Sequence, residues 1–432
     1  MYDANGRMSE VWNRRGHRMV LNGYDAAGRV VAQTLSDGAQ YAFNYTTGVG
    51  DVVSEVAVTE PGGSIRRVRF HPSGFPSEDT DAVGTALERT TYYERDALGF
   101  MLATVDPLNR RVEFTYDAQM RVTVTTVLAG TAQALTSTVT FNEQHDPTSS
   151  TDPEGRVTTY AWDARRRLTS VTDDRQREIQ FAYDSMDRVV SVTDPQNRVS
   201  TLGYQLNDLV SVTDWQGRTV KRYVDALGRT RSVTDAYGRT SRLDYDVLDR
   251  VLTEHGPDGA VTAFEHDPMG NLKRLTDASL SVTQWDYDSR QRPVARTDAL
   301  GVAETWSYSE PNRTSTHTDR QLRSTTETYD LLGRLGTVDY GAGVSVTLTH
   351  DAADRLLDIT DASGTISYEY DTLDNVIRET TPDGYVDYEY DGFGRRITST
   401  PSGHSPTRQE AASCGAAACP TTRCLMPSSW LA

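Results

Sequence analysis

One six-residue pattern, Tyr-Asp-x-x-Gly-Arg, recurs along almost the whole 432-residue chain. A fixed period of 20–50 residues decides the fold class before any other property is considered. Cores begin at residues 2, 24, 45, 70, 95, 116, 141, 162, 183, 204, 224, 245, 266, 287, 308, 329, 350, 370 and 390, so eighteen intervals span 388 residues and average about 21.6. Intervals of 25 separate Tyr45 from Phe70, Phe70 from Arg95 and Tyr116 from Phe141, which makes residues 1–150 the less regular part.

The preferences within the core have a mechanical reading. The first site is aromatic in 15 of 19 cores, with Arg95, Val224, His266 and His350 the exceptions, and the second is Asp in 14. Asp at the head of a turn accepts hydrogen bonds from the amides that follow. The fifth site is Gly, Asp or Asn in 14 cores, which predicts a left-handed backbone there, with Asp187, Asp208, Asp249, Asn312, Asp354 and Asp374 as the tolerated substitutes for glycine. Arg is sixth in 12. A loop of this length joins antiparallel strands. It is expected to set the aromatic of each core opposite the Arg of the same core, where cross-strand and cation–π pairing act.

After each core comes a short β-rich run such as Arg188–Thr193, then a second turn signal (Asp152-Pro153-Glu154-Gly155, Asp194-Pro195-Gln196-Asn197, Asp235-Ala236-Tyr237-Gly238), then a strand into the next aromatic. Two strands and two turns fill each unit, and no stretch carries capped helical spacing. The expectation is all-β: about 38 strands in a repetitive β-hairpin array, a sheet too long to stay flat and open. It should twist into a spiral or shell, each unit burying its apolar face only against neighbours.

Composition agrees with a thin core. Counting glycine and omitting tyrosine, the apolar fraction is roughly 39%, against ~45–50% for globular chains. A net charge of −17 argues against nucleic acid or an anionic membrane surface as a partner. No window approaches 18 consecutive apolar residues, and Met1–Arg7 lacks the charged and apolar regions of a classical signal peptide. Cysteine is confined to Cys414, Cys419 and Cys424, so disulfides do not hold residues 1–413 together, and the spacing lacks Cys-x2-Cys zinc pairs.

No catalytic, cofactor-binding or metal-binding residue is assigned. The eight histidines show no ligand spacing, and His266 and His350 fill the aromatic slot as packed rings. No Gly-x-Ser-x-Gly elbow, phosphate loop or calcium loop is present. The acidic pairs Asp244/Asp246 and Asp286/Asp288 could imitate a glycosidase dyad, but they recur with the period and are taken as turn residues.

The units Tyr183-Asp184-Ser185-Met186-Asp187-Arg188-Val189, Tyr245-Asp246-Val247-Leu248-Asp249-Arg250-Val251 and Tyr329-Asp330-Leu331-Leu332-Gly333-Arg334-Leu335 resemble the YD repeats of the bacterial RHS (rearrangement hot spot) family. The same repeats occur in the C components of insecticidal toxin complexes and in teneurins, and the likeness covers about residues 1–400. It implies a non-enzymatic spiralling β-shell that encapsulates or presents a C-terminal toxin polypeptide, the toxin itself being absent here. Its partners would be the remainder of an RHS shell, that toxin, and a secretion-system or toxin-complex delivery component, and it would be secreted by a specialised route. Family members also carry an Asp-Pro-x-Gly-Leu self-cleavage motif. The nearest matches, Asp152-Pro153-Glu154-Gly155-Arg156 and Asp267-Pro268-Met269-Gly270-Asn271, lack the Leu and fall in phase with repeat turns, so cleavage is not carried over. The pattern stops near Ile397, and residues 401–432 are expected to be a disordered or frameshifted tail. The competing function is an extracellular carbohydrate- or protein-binding array using exposed tyrosines. Burial of Tyr183, Tyr245 and Tyr329 separates the two.

Overall fold

The computed structural model describes residues 1–13, 16–391 and 394–403. It divides into two compact units, Met1–Ala362 and Ser363–Ala432. Among the described residues there are 37 strands and a single 3-10 turn, Val49–Asp51, and no helix long and apolar enough to cross a membrane. The fold is all-β, as the period requires.

In the first unit each strand pairs antiparallel with the next in sequence, from Glu10–Trp12 on Arg18–Tyr24 to Ser345–His350 on Leu356–Asp361. The sheet is an open meander one layer thick. In the second unit Gly364–Tyr370, Val376–Thr381, Gly384–Tyr390 and Arg396–Gly403 pair in the same order. Strand pairing thus reaches Gly403, while Cys414, Cys419, Cys424 and the rest of the expected tail from residue 404 lie outside the described residues.

A one-layer sheet has almost no interior. Among the described residues the buried apolar ones are Ala82, Ala103, Leu128 and Ala129. Three of them fall in the connections that lengthen the early repeats: Ala82 begins the loop before Arg89, and Leu128 and Ala129 begin the loop before Leu135. The 25-residue intervals are therefore complete repeats with longer turns, two of which fold back, Val83 donating its amide to the Ile65 carbonyl at 2.9 Å and Ala129 to Arg111 at 3.0 Å.

Most of the turns have the expected conformation. Gly228 and Gly333 are left-handed at φ 78° and 77°, and so are Asp187, Asp249, Asp354 and Asp374. Asp208 and Asn312 are not. In those two repeats the positive φ moves to Leu206 and Arg313, and Gln205 pairs with Asp208, and Ser309 with Thr314, across altered loops. The physical reason is the second site: Gln205 and Ser309 stand where Asp otherwise organises the turn. Conversely Met120, Arg166 and Gln291, none of them favoured there, are left-handed behind Asp117, Asp163 and Asp288. The aspartate sets the conformation more than the fifth residue does.

Candidate functional site

The turn is built around one carboxylate. Asp184 Oδ1 accepts the amides of Met186 at 2.8 Å and Arg188 at 3.1 Å, and Oδ2 accepts Arg188 Nε at 2.7 Å. The Asp187 amide donates to the Asp184 carbonyl at 3.2 Å and closes the loop. Where an Asp heads the second turn and an Arg follows four residues on, as from Asp152 to Asp235, that turn uses the same device, which the sequence reading missed. Asp194 Oδ1 accepts Gln196 and Arg198 amides at 2.9 and 3.0 Å, with Arg198 Nε on Oδ2 at 2.6 Å and Asn197 left-handed at φ 60°. The signal was present: Arg156, Arg177, Arg198, Arg218 and Arg239 each follow a turn Asp by four residues.

Aromatic and Arg do pair, but not within one core. Arg167 lies over the Tyr183 ring at 4.8 Å, Arg188 over Tyr204 at 4.5 Å, and Arg229 over Tyr245 at 5.2 Å, each sixteen residues on and in the next repeat. The expectation of a pair inside each core is thus corrected: a bulge before the loop, as between Ala182 and Tyr183, sets Tyr183 opposite Val189 and leaves the ring beside the preceding hairpin. The tyrosine hydroxyl reaches back too. Tyr183 donates to the Leu168 carbonyl at 2.8 Å, Tyr204 to Val189 at 2.9 Å, and Tyr245 to Thr230 at 2.7 Å. Arg167 Nη1 also donates to the Asp184 carbonyl at 3.1 Å and to Asp187 Oδ1 at 2.9 Å. One Arg therefore holds its own turn and the turn of the next repeat. Tyr329 departs from this pattern: its hydroxyl donates to Glu327 at 2.6 Å, while Arg313 donates its Nε to the Tyr329 carbonyl at 3.1 Å and its Nη1 to the Gly62 carbonyl.

These bonds lower the carboxyls of turn aspartates such as Asp184 and Asp246. Asp184 is lowered first by the Arg188 guanidinium and then by its amide. At Asp246 desolvation pushes the carboxyl up, but the Arg250 amide and guanidinium outweigh it and hold it at about 2. A carboxyl lowered in the fold contributes stability that is complete above its unfolded value near 3.8 and is lost as pH falls through the folded value. The urea midpoint should therefore be flat from pH 7 to 5 and fall between about pH 4 and 2. A midpoint already falling at pH 6 would assign the transition to histidines instead.

The remaining sequence candidates have structural places. Asp152 bonds the amide and guanidinium of Arg156, and Asp267 the amide and side-chain amide of Asn271, both as turn acceptors. Of the acidic pairs, Asp246 and Asp288 are turn residues. Asp244 and Asp286 are not: both lie within strands, and Asp244 accepts Arg231 at 2.7 Å and Thr253 at 3.0 Å, with His255 Nε2 at 3.2 Å. This corrects the assignment of both members to turns, because strand alternation sends the residue two before the turn onto the sheet face. His266 and His350 end their strands in the tyrosine position. The His350 ring is pushed down by burial and then by Arg334 of the preceding repeat. Among the described residues no group of three His, Cys, Asp or Glu could hold a metal ion.

Two larger features involve residues with no local signal. The first is a face. Val171 pairs with Ile179, Phe181 with Val192, Leu202 with Val212, and Val212 with Val220, so one side of the sheet carries a connected apolar band. The other side carries Ser170, Gln180, Ser191, Thr193, Thr201 and Thr213. Among the described residues no second layer covers the band: Ile179, Val212 and Val220 are 38%, 40% and 45% exposed.

The second feature is a seam within the first unit. Asn13 Nδ2 meets Met269 Sδ at 3.0 Å, Ser36 Oγ donates to the Ser289 carbonyl at 2.8 Å, Asp37 pairs with Arg290, and Arg313 Nη1 donates to the Gly62 carbonyl at 3.0 Å. Arg89 Nη1 meets Asp354 Oδ1 at 2.5 Å. Second turns of the first three repeats, and the strand start at Arg89 after the long loop of the fourth, thus meet YD turns more than 250 residues on. The ribbon returns along its own edge.

A single-layer ribbon of paired hairpins, locked turn to turn by Asp, Arg and Tyr, defines a class of β-repeat protein. The RHS Repeat family model matches residues 141–178, 167–199, 183–219, 224–261, 266–305, 350–386 and 370–405, and the chain is an RHS/YD-repeat protein. A search of curated proteins returned no match. Among solved structures it is similar to the crystal structure of TcdB2-TccC3-TEV, at 13% identity and TM-score 0.66 over 92% of this chain and 28% of that one. It is also similar to the Photorhabdus luminescens Tc holotoxin pore, at 14% identity and TM-score 0.66 over 90% of this chain and 26% of that one. The fold is shared, and this chain spans about a quarter of the length of those it matches.

Proposed function

We propose that the chain is a wall segment of an RHS-type shell, with its apolar face turned toward a polypeptide cargo of the toxin kind. The observation that carries this reading is the uncovered band through Val171, Phe181, Val192 and Leu202 on a sheet with no second layer. An apolar surface of this extent on a soluble protein marks a binding surface. An extended or unfolded chain fits it better than a folded domain does, because a periodic row of shallow apolar sites offers no pocket shaped to one partner. The printed titles of the similar structures, a TcdB2-TccC3 complex and a Tc holotoxin pore, support a toxin-complex setting and delivery outside the producing cell. The role needs no catalytic group.

The glycan-binding reading depends on free tyrosine rings. Tyr183 and Tyr245 are half-buried, covered by Arg167 and Arg229 and bonded through their hydroxyls, so they are not free to stack on sugars. Protease protection tests the proposal. A poorly folding polypeptide fused after residue 403 should survive a protease concentration that destroys it when free. Paired Phe181→Glu and Leu202→Glu substitutions should abolish that survival while leaving the far-UV spectrum unchanged. Equal digestion of fused and free polypeptide contradicts the encapsulation reading.

A further inference from the structure

The seam has a register and an order. Asn13 belongs to the second turn of the first repeat and meets the thirteenth core at Met269. Ser36 and Asp37 belong to the second repeat and meet the fourteenth. Gly62 belongs to the third and meets Arg313 of the fifteenth. Three contacts therefore share an offset of twelve repeats, and Arg89, beyond the long loop of the fourth repeat, meets the seventeenth. In the three twelve-repeat contacts a second turn of the earlier winding touches a YD turn of the later one, and at the fourth the strand start at Arg89 does so, so the two edges are different surfaces that fit each other.

What joins them differs in kind from what joins strands. Within the ribbon, neighbours share backbone ladders, Tyr hydroxyl bonds and Arg clamps. Across the seam, among the described residues, each bond involves at least one side chain and no backbone ladder forms, and the central residue is Arg290. It pairs with Asp37 across the seam and with Glu310 at 2.9 Å in its own winding, and Arg292 also holds Glu310 at 2.7 Å. Beside this network the edges leave a cavity of about 370 Å³ between Tyr41 and Pro61 on one side and Tyr308 and Asp330 on the other. Partly exposed ion pairs contribute little individually and are screened by salt, whereas local opening starts where buried apolar contacts and backbone bonds are fewest.

We propose that this seam is a charged latch, that Arg290 is the positioning residue which sets the twelve-repeat winding, and that the wall opens along the seam with its strands still paired. Applied to the shell reading, on which only this clause rests, the seam is the line through which cargo enters or leaves.

The test requires no cargo. In the full chain with Cys414, Cys419 and Cys424 replaced by Ser, Ser36→Cys and Ser289→Cys are joined by a short bismaleimide, and gel mobility separates intramolecular from intermolecular products. High intramolecular yield is expected. Adding Arg290→Glu should lower the yield about tenfold and raise the radius of gyration, with the far-UV spectrum unchanged. Adding Asp37→Arg to that variant should restore both. As a check independent of any variant's folding, raising sodium chloride on the parent should lower the yield at concentrations that leave the far-UV spectrum unchanged. Yield insensitive to both Arg290→Glu and salt, or yield lost only together with β-structure, overturns the latch. Fused polypeptide digested despite an intact latch would count against encapsulation alone.

Discussion

Replacing Gly99 by valine is expected to cost the first unit about 2–3 kcal/mol, and the same change at Gly228 about 1–2. Both glycines occupy the fifth site at positive φ, +94° and +78°, where a β-branched residue is strained. The difference lies in what the new side chain meets. At Gly99 a Cβ falls 2.7 Å from two ring atoms of Phe75, a ring that Arg95 covers at 5.0 Å, so ring and guanidinium must both move. At Gly228 the nearest atom is Asp208 Oδ1 at 3.8 Å. Hydrogen exchange of the flanking amides is the suitable measurement, because repeat arrays open locally and a single unfolding midpoint averages over units. Equal losses at the two sites would show that the Phe75 ring yields freely, and no loss at either would contradict the turn geometry.

Tyr245→Ala is expected to cost about 2–3 kcal/mol, and Tyr245→Phe about 1. The first removes a half-buried ring held under Arg229; the second removes only the 2.7 Å bond to the Thr230 carbonyl. Because ring and carbonyl belong to successive repeats, exchange should rise in the hairpin before Tyr245 as much as in its own. Tyr329→Phe should raise its neighbour's exchange less, since that hydroxyl makes no bond to a carbonyl of the preceding repeat and reaches it through Glu327, which also accepts Ser315. A loss confined to the mutated repeat would remove the repeat-to-repeat clamp from the account.

Local chemistry was legible because it repeats. The aspartate turn, the left-handed fifth site and the two-strand unit follow from residues within six positions of one another, and the fold class follows from the period. The Tyr–Arg partnership was read as internal to each core because the two residues are neighbours in sequence. The constant spacing of sixteen between Arg167 and Tyr183, or Arg229 and Tyr245, was the available clue to the neighbouring repeat. Asp208 and Asn312 were misplaced for a related reason: their identity suggested a conformation that the absence of Asp at positions 205 and 309 withdrew. The seam could not be read at all. Asp37 and Arg290 are 253 positions apart, and neither differs locally from other turn residues, because only the accumulated twist of the ribbon brings them together.

The apolar face stays uncovered while the ribbon returns along its own edge. Electron cryomicroscopy of the purified chain tests this arrangement most directly. The account predicts a wall one sheet thick in the first unit, with the turn at Ser36 abutting the turn at Ser289 and the band through Val171 and Leu202 facing open space. Two sheets packed face to face about 10 Å apart, with that band buried between them, would contradict it.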